Sequence, residues 1–114
     1  MHWLGAALLA LCLMLGLPGL AQAGQMPEFT LTFKQGGTFE PARLTVPAGK
    51  FKLILVNESK GPVEFESLPL RQEKVLGPGV TSSVVITVSR PGEYPFFDDF
   101  HPNVKGVLVV TEKQ

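Results

Sequence analysis

Asp98, Asp99 and His101 stand together in the stretch EYPFFDDFHPNVKGVLVV, residues Glu93 to Val110, between two apolar runs that read as strands. Three potential metal ligands thus crowd the tip of an expected β-hairpin. Carboxylates joined by one imidazole suit iron, manganese, zinc or copper(II) rather than copper(I). Catalytic zinc sites and two-histidine facial triads each call for at least one more histidine, so neither is expected here. Plainer roles stand beside the ligand reading. His101 could pack against Pro102 and cap the loop, and Asp99 could stabilise the turn. In an extended backbone successive side chains point to opposite faces, so Asp98 and Asp99 are not expected to reach the same ion. No residue is placed as a nucleophile beside His101, which sets hydrolysis aside.

With 114 residues, one domain is the ceiling, and residues 1–23 read as a removable leader. An apolar run from Leu4 to Leu17, the breaker Pro18-Gly19 and the small residues Ala21 to Ala23 form a secretory signal peptide, although its start lacks Lys and Arg. A retained membrane anchor is the alternative, and the run falls short of the ~20 apolar residues that a span needs. Cleavage after Ala23 removes Cys12 and Trp3 and leaves residues 24–114 as a thiol-free domain exported to the periplasm. Ten Lys and Arg balance ten Asp and Glu, so no basic field gathers phosphates, and nucleic acid is not an expected partner.

The remaining chain is punctuated like an all-β protein. FTLTF, LTV, FKLILVN, VEFES, SSVVITV, GEYPFF and GVLVVTE alternate or run apolar over strand lengths, with Gly, Pro and Asn between them. No window carries apolar residues at helical spacing with caps. About seven short strands in one small domain indicate a Greek-key β-sandwich. Phe51 to Asn57 is apolar on both faces at its centre, as an interior strand would be. Pro69 to Leu76 is the least regular stretch and is expected to hold a short helix or an excursion over one end.

The closing pattern, Gly-x-Tyr followed by Phe100-His101-Pro102-x-x-Lys105-Gly106-x-Leu-Val-Val, resembles the last hairpin of cupredoxins, the small periplasmic copper proteins. PAGKFKLILVNES resembles an earlier strand pair of the same family. On that resemblance the copper cysteine falls on Asp98, the methionine on Val104 and the first histidine, in PVEF, on Val63, while His101 is kept. A blue-copper carrier needs the thiolate, so that function is not expected. EFESLPLRQEKVLGPG followed by YPFFDDFHP is more similar still to the periplasmic cupredoxin-like component of bacterial oxidase-dependent iron permease systems. This resemblance implies binding of a copper or iron ion. It also implies help with ferrous iron oxidation or hand-over, and an iron permease and a companion periplasmic metal-binding protein as partners.

Oxygen donors replace the lost copper ligands on this reading. Glu64 and Glu66 share one face of their strand, with Val63 and Phe65 on the other. The expected ligand set is Asp98, His101 and Glu66, with Glu64 or Asp99 as further candidates. Salt bridges from the glutamates to Arg71 and Lys74 are the competing expectation, and Lys105 is expected to neutralise the aspartates. Two further functions stay open: a non-catalytic carrier or docking module, and a structural cupredoxin relic without metal.

Overall fold

The computed structural model describes residues 25–113, and the expected leader, residues 1–23, lies outside them. Nine strands form among the described residues: β1 (Glu28–Phe33), β2 (Phe39–Glu40), β3 (Arg43–Pro47), β4 (Gly49–Asn57), β5 (Val63–Ser67), β6 (Gln72–Leu76), β7 (Thr81–Val88), β8 (Gly92–Phe97) and β9 (Lys105–Thr111). They make a four-stranded sheet in the order β2-β1-β4-β7 and a five-stranded sheet in the order β3-β9-β8-β5-β6. Among the described residues no helix is long and apolar enough to cross a membrane.

The count exceeds the expected seven because of β2, only two residues long, and β6. β6 occupies the stretch expected to hold a helix or an excursion. Ser67 pairs with Gln72 and Val63 with Leu76, so Leu68 to Arg71 is simply the turn of a hairpin. Pro69 takes the position where its fixed φ favours a turn, and Arg71 closes it at φ 56° while donating its N–H to the Leu68 carbonyl at 3.1 Å. The mixed composition of QEKVL hid a strand because β6 is an edge, where charge is useful rather than costly.

Alternation along the strands builds the core. Leu31 and Phe33 of β1, Phe51, Leu53 and Leu55 of β4, and Val63 and Phe65 of β5 are buried, as are Phe96 of β8 and Leu108 and Val110 of β9. Each such side chain contributes about 1.5–3 kcal/mol by leaving water. Phe96 joins the layers, with its ring 4.9 Å from Phe39 edge-on and 5.3 Å from Phe65. Gly106, directly opposite Phe96, leaves the space that this ring fills.

One end of the sandwich collects the turn after β1, the loop before β5 and the loop between β8 and β9. The buried Asn57 amide fixes the second of these, donating to the carbonyls of Gly61 at 2.9 Å and Gly77 at 2.8 Å. Its Oδ1 accepts from the N–H and the hydroxyl of Ser59. The Lys60 N–H reaches Gln35 Oε1 at 3.0 Å, tying that loop to the first turn. β5 therefore begins from a clamped position, which matters because β5 carries two of the candidate ligands.

Candidate metal centre

Asp98 follows the last residue of β8 and turns inward, with no exposed surface. Its Oδ1 accepts the N–H of Glu64 at 3.0 Å and of Phe100 at 2.9 Å, while Oδ2 lies 2.9 Å from Nδ1 of His101. The Asp98 carbonyl also accepts the His101 N–H at 2.9 Å. β5 and β8 share a single register position, Glu66 opposite Phe97. The Asp98 carboxylate thus supplies the acceptor that the Glu64 N–H would otherwise lack. With a carboxylate as the partner of Nδ1, the ring proton belongs there and Nε2 is left free.

His101 is seated on Gly37. A β-carbon at Gly37 would overlap the imidazole, and this glycine also has φ +94°, a conformation that side chains resist. The Gly36-Gly37 pair therefore does more than turn the chain.

The position at which the resemblance would put copper does not suit that ion. Val63 is fully buried and apolar, and Val104 packs against the core. Both oxygens of Asp98 are already committed to protein donors. Of these four positions only His101 keeps an unused nitrogen, and one imidazole does not make a copper centre. A hydrogen-bonded carboxylate now joins β5 to the last loop.

The side chains that do converge are on the outer face. Ligand atoms from Glu64, Glu66 and Asp99 all lie within 4.8 Å of one another. Alternation turns Val63, Phe65 and Ser67 inward and the two glutamates outward. Asp99, the residue after the inward Asp98, joins them, and its N–H lies 3.4 Å from Glu64 Oε1. The expected grouping of Asp98 and His101 with Glu66 is thus not assembled: Asp98 and His101 pair with each other, and Asp99 is the hairpin residue that meets Glu64 and Glu66. Strand parity separates the two aspartates, and the packing of β8 against β5 sets the second against the glutamates.

Among the described residues no lysine or arginine forms an ion pair with this cluster. The ion pairs among the described residues join Lys34 to Glu58, Arg43 to Glu93, Lys52 to Glu28 and His101 to Asp98. The expected bridges from Arg71 or Lys74 to the glutamates, and from Lys105 to the aspartates, are not formed. Glu73 stands opposite Glu66 on β6 and adds a further negative charge. Glu64 is only 5% exposed. Burial, then a hydrogen bond to Glu66 and the charges of Asp99 and Glu66, push its carboxyl up to about 7, against the opposing pull of the Asp99 N–H. Glu66 is also raised, first by desolvation and then by Asp99 and Glu73, while its hydrogen bond from Glu64 works the other way. Near neutral pH the cluster holds a proton where a metal ion would remove the same repulsion.

Two packed sheets, closed by a hairpin whose loop is bonded to the start of β5, define a cupredoxin-type sandwich. The chain belongs to the cupredoxin-like domain family, which it matches over residues 5–110. An uncharacterized protein of Rickettsia prowazekii (strain Madrid E) is 33% identical over 87 residues, covering 75% of this chain and 69% of that one. The iron uptake system component EfeO of Yersinia pseudotuberculosis is 34% identical over 105 residues, covering 86% of this chain and 28% of EfeO. The chain therefore spans roughly a quarter of the length of the EfeO relatives it matches. Among solved structures, a purple cupredoxin from Nitrosopumilus maritimus aligns with a TM-score of 0.60 at 19% identity, over 72% of this chain and 98% of that one.

Proposed function

We propose that the protein is a periplasmic component of an iron uptake system that carries iron as cargo on Glu64, Glu66 and Asp99. One observation carries this reading: three carboxylates converge within 4.8 Å, and none has a cationic partner among the described residues. Such an arrangement is repulsive unless protons or a metal ion occupy it. Oxygen donors select hard ions, and the kinship with EfeO, named as an iron uptake component, favours iron among them. The anionic shell stabilises the ferric over the ferrous ion, so binding makes loss of one electron from ferrous iron to dioxygen more favourable. No step is routed through a resident copper, because Val63, Val104 and the committed Asp98 are not a donor set that suits one.

Hand-over to a permease, together with a companion periplasmic metal-binding protein, completes the reading. The cluster is open enough for exchange, since Glu66 is half-buried and Asp99 exposed. Exposed Val75, opposite Glu64 in the sheet, and exposed Phe100, next to Asp99, give the surroundings the mixed apolar and acidic character of a contact surface.

Calorimetric titration of the purified protein with anaerobic ferrous iron, a soluble ferric chelate and copper(II) tests the site. Glu66→Gln or Asp99→Asn should weaken iron binding by at least the roughly 10-fold that even outer-shell substitutions cost, whereas His101→Ala should leave it within a factor of about three. Loss of binding in His101→Ala with normal binding in Glu66→Gln would move the site to the hairpin pair. A protein that binds no ion and whose stability ignores chelators would be the structural relic.

A further inference from the structure

The sandwich has four sheet edges, and three of them are protected against pairing with another chain. β2 has two residues and is followed by Pro41. β3 begins with Arg43 and ends with Pro47. β6 carries Glu73 and Lys74, and Lys74 lies opposite Phe65, on the core-facing side, where a charge discourages a further strand. β7 has none of these devices. Its sequence, TSSVVITV, is eight residues long with no charge, proline or glycine, and among the described residues it pairs with β4 alone.

The ladder fixes which backbone groups β7 leaves free. The Asn57 N–H donates to the Val80 carbonyl at 2.9 Å, and Asn57 and Val80 continue the register in which Val56 faces Thr81. Residues Ser82, Val84, Ile86 and Val88 therefore direct their N–H and C=O groups to β4, because hydrogen-bonded pairs recur every second residue. Thr81, Ser83, Val85 and Thr87 direct theirs to the open edge, with exposed side chains on the outer face.

We infer that β7 is a self-association edge, and that its occupant is β7 of a second copy of this chain in antiparallel register about Val84. A two-fold axis through Val84 sets Thr81 opposite Thr87 and Ser83 opposite Val85, so every free N–H and C=O of the edge finds its counterpart. Residues of the same face meet, as a sheet requires. Val84, half-buried on the inner side, meets its own equivalent, and Val85, 48% exposed, is covered by its new neighbours. The choice of a copy rests on self-complementarity: an uncharged edge meets an uncharged edge with no like-charge repulsion, and an isologous contact closes without further growth. The four-stranded sheets then become one continuous layer. Pairing through a single strand belongs to the small, reversible interfaces below about 1,200 Å².

Sedimentation velocity on the protein purified from its full coding sequence, taken from about 5 to 500 μM, should show mass rising toward the dimer, as a weak interface of this class would. Val85→Lys should abolish the rise. Ser83→Pro should do the same while keeping the fold, since the N–H it removes is not used by β4. Thr30→Lys, exposed on β1 of the same sheet, should leave association unchanged. Amide exchange gives the direct signature: at high concentration the N–H groups of Ser83, Val85 and Thr87 slow by at least about tenfold, the factor of a dimer mostly formed, whereas those of Ser82 and Val84 are protected throughout. A monomer at every concentration overturns the inference. So does a dimer that survives both variants with unchanged exchange at β7, or an edge that pairs only with a different protein.

Discussion

Asp98 shows how one side chain can fasten a loop to a strand. Three donors converge on its carboxylate from Glu64, Phe100 and His101, so it cross-links β5 to the last loop without an ion. Removing it strands the buried N–H of Glu64, the part-buried N–H of Phe100 and the ring N–H. Asp98→Ala should therefore cost roughly 3–5 kcal/mol, as two or three stranded donors at about 1–3 kcal/mol each would. Asp98→Asn keeps one acceptor oxygen and should cost about 1–3 kcal/mol. Urea unfolding of the two variants checks both values. Equal and small losses would mean that the carboxylate bonds carry little of the stability. The ordering matters for the candidate centre too, because Asp98 bonds to the backbone of Glu64 and immediately precedes Asp99. Asp98→Ala is accordingly a poor probe of metal binding, and Glu66→Gln, on a half-buried side chain with no structural bond to the backbone, is a clean one.

At the scale of elements, alternation made most of the sandwich legible. Leu31, Phe33, Leu53, Leu55 and Phe65 occupy the faces that period-two spacing gives them, and all are buried. The charges of β6 mask its alternation, so a short helix or an excursion is expected where an edge strand forms. The site was half legible for a related reason. Strand parity placed Glu64 and Glu66 together and divided Asp98 from Asp99, but which aspartate met the glutamates depended on how β8 sits against β5, and no local pattern records that crossing. Gly37 was similarly hidden: it reads as half of a turn, yet its missing side chain is the floor under His101. Gly37→Ala should strain a positive-φ position and push the imidazole away, lowering stability by about 1–3 kcal/mol, as overpacking and backbone strain each do. The His101 ring resonances in a proton–nitrogen spectrum should lose the signature of an Nδ1 hydrogen bond to Asp98. Unchanged resonances with unchanged stability would mean that the loop moves aside freely.

For the whole molecule, the raised carboxyls set a pH dependence opposite in sign to the usual one for acidic residues. Glu64 gives up its proton near 4.5 when unfolded but only at about 7 when folded. Between those values the folded chain holds more protons, so this group's contribution is complete below pH 4.5 and fades as pH climbs through 7. Glu66 shifts in the same direction and adds to the trend. Metal-free protein should thus lose stability at this cluster between pH 4.5 and about 7, and Glu64→Gln, which cannot ionise, should flatten that part of the profile. An ion bound to the ionised carboxylates acts the other way. It binds more tightly as pH rises, displaces close to one proton per ion near pH 6, and stabilises by mass action only the folded state. Thermal unfolding followed from pH 5 to 8, with and without a saturating ferric chelate, should give curves that diverge as pH rises. Parallel curves would separate the cluster from metal binding, and a metal-free curve that climbs over this range even after Glu64→Gln would place the controlling carboxyls elsewhere in the fold.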